Sequence, residues 1–123
     1  MKKQTIESEA EAALVHAKQL GADQAAVTVS SGKGFSVKAQ NRSIETVEHY
    51  EDQAFSITVF VKKSMGSATT NNLSKDSLLE TTEKALSLAS LTAADEFNGL
   101  ADSNLMATEP IDLDLHHPWQ LDM

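Results

Sequence analysis

Apolar side chains recur at three- and four-residue steps at the start of the chain, at Ile6, Ala10, Ala13, Leu14, Ala17 and Leu20. That spacing puts them on one face of a helix. Thr5 is the expected N-cap, and Glu7, Glu9 and Glu11 suit the positive end of the helix dipole. Gly21 suits the left-handed position that closes a helix, with His16 and Lys18 near its negative end. From Asp23 the period changes to two. Ala25, Val27 and Val29 alternate with polar or small residues, and so do Phe35, Val37 and Ala39. Between these runs Ser31-Gly32-Lys33-Gly34 reads as a turn. Asn41-Arg42 is expected to turn or bulge the chain. Ser43 to Tyr50 reads as a bulged strand, and Glu51-Asp52-Gln53 as the next turn.

Ala54 to Lys62 carries the strongest strand signal, with Phe55, Ile57, Val59 and Val61 on one face and Ser56, Thr58 and Phe60 on the other. Lys63-Ser64 leads into a short edge strand, Met65 to Thr70. A second helix starts at the N-cap Ser74 and buries Leu78, Leu79, Thr82, Ala85, Leu86 and Ala89 before ending near Leu91. Beyond it the period is lost. The expected fold is α+β, a two-layer sandwich: a mostly antiparallel sheet of four to five strands with two helices on one face. Its core would join Phe55, Ile57, Val59 and Val61 to Val27, Val29, Phe35, Val37, Leu14 and Leu86. Residues 1–95 form the domain in this reading. Residues 96–123 form an irregular tail, a linker toward a further C-terminal region.

Composition narrows the function. A net charge of −8 over 123 residues, with cations scattered, opposes direct contact with nucleic acid. The absence of Cys removes disulfides, thiolate metal sites and a Cys nucleophile. The N-terminus turns acidic where a signal peptide turns apolar, and no run approaches the roughly 18 apolar residues of a membrane span. A cytoplasmic protein is expected.

The chemistry-bearing residues form no convincing set. His16 lies on the polar side of the first helix. Glu45 and His49 share a strand face. His116-His117 follows Asp112 and Asp114, but adjacent side chains of an extended chain point opposite ways and make a poor clamp. Ser31-Gly32-Lys33-Gly34 lacks the spacing of a phosphate loop, and Met65-Gly66-Ser67-Ala68 lacks a nucleophile elbow. Glu45, Glu48, Glu51 and Asp52 read as a solvated rim, with a carboxylate hydrolase as a distant alternative. No catalytic, cofactor-binding or metal-ligating residue is assigned. The tail run Ile111-Asp112-Leu113-Asp114-Leu115 alternates apolar and acidic, and Trp119 is a large surface to leave in water.

The ordered segments carry a resemblance. They are Ala26-Val27-Thr28-Val29, Gly34-Phe35-Ser36-Val37, Ile44-Glu45-Thr46-Val47-Glu48, Phe55 to Val61, Gly66-Ser67-Ala68-Thr69-Thr70 and Ala85-Leu86-Ser87-Leu88-Ala89. With Asp112-Leu113-Asp114-Leu115 and His117-Pro118-Trp119, they resemble the N-terminal domain of the PmbA/TldD family, on its PmbA/TldE branch. The resemblance implies a cytoplasmic protein several times longer than this chain. It implies a TldD-like partner subunit in a proteolytic complex and a peptide or unfolded protein as substrate. Family roles are peptide-antibiotic maturation, antitoxin degradation and modulation of DNA gyrase. Zinc is expected in the TldD-like subunit, through an HExxxH motif that this sequence lacks. This domain would supply assembly or substrate-enclosing surface. A stand-alone protein- or peptide-binding module without catalysis is the alternative.

Overall fold

The computed structural model describes residues 3–120, so the last three residues of the expected tail lie outside it. The chain runs α1 (Lys3–Gln19), β1 (Gln24–Gln40), β2 (Ser43–Val61), β3 (Ser64–Thr70), α2 (Lys75–Leu91) and a 3₁₀ turn (Ser103–Leu105). Both strand pairs are antiparallel, in the order β1-β2-β3. The two helices pack together on one face of this sheet, so the architecture is the expected α+β sandwich.

Three strands replace the expected four to five because two polar stretches pair instead of turning. Ser31, Gly32 and Lys33 stand opposite Gln53, Asp52 and Glu51, and β1 and β2 run straight through them. The chain reverses instead at Asn41-Arg42 and Lys62-Lys63, where both residues of each pair have positive φ. This is the two-residue hairpin geometry whose twist matches that of the strands. The expected bulge is present: the register slips between Lys38 and Ala39, leaving Glu45 as the extra residue of β2.

The helices end as the residues dictate. α1 begins at Lys3, which puts Thr5 inside the helix and not at its cap. Gly21, at φ 106°, closes it: its N–H donates to Lys18 O and the Ala22 N–H to Ala17 O. These two bonds make a Schellman motif. Ser74 caps α2, its hydroxyl accepting from the Ser77 N–H at 3.3 Å. The helices meet the sheet through small residues: Ala13, Ala17, Ala85 and Ala89 are buried. Gly66 lies against the Ala85–Ala89 stretch of α2. A Cβ there would strike the Ala85 carbonyl oxygen and the Ala89 backbone nitrogen.

The core is centred on Phe55, Ile57 and Val59, all fully buried, with Leu73, Leu78 and Thr82 around them. Val27, Val29, Val61 and Leu86 pack against it as expected, and Leu14 is half-buried. Phe35 and Val37 do not join it. They are 39% and 45% exposed, and Leu20 is also exposed. The reason is length. A helix of 17 residues spans about 25 Å, whereas the 19 residues of β2 span about 60 Å. The helices therefore cover only the half of the hairpin that also carries β3. The other half, residues 31–53, projects as a two-stranded ribbon. The opposite face of the sheet carries hydroxyls, with Thr58 Oγ1 and Ser67 Oγ 2.7 Å apart and Thr69 Oγ1 donating to Ser56 Oγ at 3.1 Å. Phe60, on this face, is buried. The segment after α2 returns beside it: Asp95 N–H and Asn98 Nδ2 donate to Lys63 O, and Leu100 N–H to Gln24 Oε1.

Candidate interaction surface on the projecting ribbon

Strand alternation continues from the core into the ribbon. Val29 pairs with Phe55 under the helices. The next pairs on the same face are Ser31 with Gln53, Lys33 with Glu51, Phe35 with His49 and Val37 with Val47. The same side of the sheet thus passes from a covered core to an apolar surface that no helix reaches. Phe35 and His49 are in ring contact, with centroids 5.9 Å apart at 37°. On the opposite face Tyr50 pairs with Gly34, whose missing Cβ leaves the space that the tyrosine ring fills. An open cleft of about 890 Å³ lies along the ribbon, lined by Phe35, Val37, His49 and Tyr50 with Lys33 and Glu51 at its rim. Trp119 of the tail forms another wall and stays 80% exposed.

The ribbon's two halves differ in charge. β2 carries Glu45, Glu48, Glu51 and Asp52 between Ser43 and Gln53 and no Lys or Arg, whereas β1 carries Lys33 and Lys38. Lys38 Nζ lies 3.5 Å from Glu45 Oε2, across the bulge. Pairing puts Glu48 and Asp52 on the Tyr50 face and Glu51 on the Phe35 face. Glu51, Asp52, Gln53 and Asn71 line a polar notch where β3 stops and β2 continues paired with β1 alone.

The remaining candidates are scattered. His16 is half-buried between the helices. Its Nε2 is 3.7 Å from Glu83 Oε1, too far for a hydrogen bond, and has no other partner. His117 Nε2 lies 2.7 Å from Asp114 O on the exposed tail. Among the described residues no three His, Asp or Glu side chains converge as a metal would require, so the donor set does not fit zinc. The Ser31–Gly34 stretch is strand and forms no anion cradle. Ser67 shares its hydroxyl bond with Thr58 on the face of the sheet opposite the helices. The exposed apolar ribbon is a surface suited to binding. Sequence reasoning missed it because the exposed ribbon residues alternate in the manner of core residues.

The sequence pattern of the family described as PmbA/TldA metallopeptidase domain 1 matches residues 25–89, just over half of the chain. A metalloprotease PmbA homolog of Haemophilus influenzae is 38% identical over 99 residues, 80% of this chain and 22% of that protein. The metalloprotease PmbA of Escherichia coli O157:H7 is 40% identical over 96 residues, 78% of this chain and 21% of that protein. Two solved structures share the fold. A putative modulator of DNA gyrase from Bacteroides thetaiotaomicron has a TM-score of 0.79 at 21% identity, over 90% of this chain and 25% of that one. TldE from Thermococcus kodakarensis has a TM-score of 0.68 at 17% identity, over 84% of this chain and 23% of that one. The chain thus spans about a fifth to a quarter of the length of these proteins.

Proposed function

This chain belongs to the PmbA/TldA metallopeptidase family, and we propose that it serves as the non-catalytic first domain of a PmbA/TldE-like subunit. In this role it supplies surface for assembly with a TldD-like subunit or for enclosing a peptide or unfolded protein substrate. The observation that carries the reading is the pairing of a family match with an apolar ribbon left uncovered outside the core. A two-stranded ribbon is marginally stable alone in water, so a surface of this kind favours a covering partner. Zinc, the hydrolytic chemistry, and any role in antibiotic maturation, antitoxin turnover or gyrase modulation belong to the complex in this proposal. So does the cytoplasmic location. No helix among the described residues is long and apolar enough to cross a membrane.

Sedimentation velocity tests the assembly role. Adding the chain to a fluorescently labelled TldD-like subunit should shift that subunit to a faster, saturable boundary. An unchanged boundary at high chain concentration contradicts the assembly role. Peptide hydrolysis by the chain alone, abolished by Glu45→Gln, contradicts its non-catalytic character.

A further inference from the structure

We propose that the free edge of β2 in the ribbon, residues 43–53, takes up an extended peptide that alternates apolar and basic side chains, adding it as a strand. The inference takes its class of ligand from the function proposed above and adds the site, the binding mode and the charge pattern.

The backbone supplies the first argument. β3 pairs with β2 only from Phe55 to Val61. Among the described residues nothing continues its track past Thr70, so the β2 edge from Ser43 to Ala54 has no strand partner. An incoming strand would start at the notch beside Asn71 and run along that edge in the place β3 vacates. Backbone hydrogen bonds would supply affinity, and the side chains of β2 the selectivity.

Those side chains ask for a definite pattern. Val47 and His49 share the sheet face of Phe35 and Val37, while Glu48 and Asp52 flank Tyr50 on the opposite face. Directly opposed strand residues interact, and opposite charges stabilise the pair. A strand with apolar residues opposite Val47 and His49, and Lys or Arg opposite Glu48 and Asp52, meets both requirements. A second copy offering the same edge would place carboxylates against carboxylates. The chain's own tail run, Ile111 to Leu115, alternates with Asp and is repelled there too. Charge therefore selects a cationic partner strand from another polypeptide.

The chain carries its own reporter, because Trp119 is the only Trp and lines the cleft. The experiment follows Trp119 emission on titration with a Val–Lys alternating peptide of about ten residues, long enough for one strand. A Val–Glu alternating peptide and a block peptide of the Val–Lys composition serve as controls. The Val–Lys peptide should saturate the signal and bind on the order of tenfold more tightly than either control at low salt. Glu48→Gln with Asp52→Asn should weaken it about tenfold, while Glu83→Gln on α2 should leave it unchanged. N-methylation of alternate peptide bonds should abolish binding without any change to the protein. Equal affinity for the Val–Glu or block peptide overturns the proposal, as does binding that survives N-methylation or no binding at all. Self-association of the chain that Val47→Asp abolishes would also overturn it, by assigning the ribbon to a second copy. Because no TldD-like subunit is present, failure here leaves the assembly role intact.

Discussion

A close approach in the fold makes a sharp prediction from one methyl group. Gly66 of β3 pairs with Val59 of β2 and lies directly beneath α2, so Gly66→Ala drives a Cβ into the Ala85 carbonyl oxygen and the Ala89 backbone nitrogen. Neither atom can rotate away as a side-chain tip could, and α2 must lift from the sheet. Overpacking of this sort costs about 1–3 kcal/mol. Replacing glycine in a strand returns about 0.5 kcal/mol through the unfolded chain. The net loss is about 0.5–2.5 kcal/mol, which for a domain of this size lowers the melting temperature by about 2–10 °C. The same substitution at Gly32 meets nothing within 4 Å, so Gly32→Ala should be neutral or stabilising by about 0.5 kcal/mol. Because the obstruction is backbone, Ala85→Gly should not rescue Gly66→Ala. Thermal melts by circular dichroism decide the matter. If Gly66→Ala melts at or above the parent temperature, the seating of α2 on β3 described above is wrong.

Ile57→Ala, at the fully buried centre, should cost about 2–5 kcal/mol in denaturant melts. Thr58→Ala, on the hydroxyl face, should cost about 1 kcal/mol or less, and equal losses at the two positions would mean both faces are buried. Ser74→Ala removes the α2 cap and should cost about 1 kcal/mol, whereas Ser74→Asp should preserve stability in the same melts. Replacing Lys62-Lys63 with Asn-Gly relieves two left-handed lysines and should raise the denaturant midpoint, with a gain of about 1–2 kcal/mol.

Local periodicity made much of this fold legible. The α2 stripe Leu78, Thr82, Ala85 and Ala89 is buried as its spacing requires, and Gly21 and Ser74 end or start their helices as their chemistry requires. The strand breaks were misread for a physical reason. Ser31–Gly34 and Glu51–Gln53 have turn-like composition, but each is the other's partner across the ladder, and polarity alone does not separate a turn from a pair of exposed strands. Lys62-Lys63 gave the opposite difficulty, since lysine has no intrinsic preference for the left-handed region that this turn imposes. Phe35 and Val37 show why the candidate surface escaped notice. Alternation reports that a residue faces one side of a sheet, while the reach of the helices decides whether that side is covered.

Domain exchange tests most directly the proposal that this chain acts as the first domain of a PmbA/TldE-like subunit. The matching 96-residue segment of the Escherichia coli O157:H7 PmbA is replaced by this chain. The chimera is then assayed with a TldD partner for proteolysis of an unfolded substrate. The account predicts that the chimera assembles with TldD and supports proteolysis within about tenfold of the parent, a transition-state difference of about 1.4 kcal/mol. A chimera that folds, by its melting transition, yet neither assembles with TldD nor supports proteolysis would contradict it.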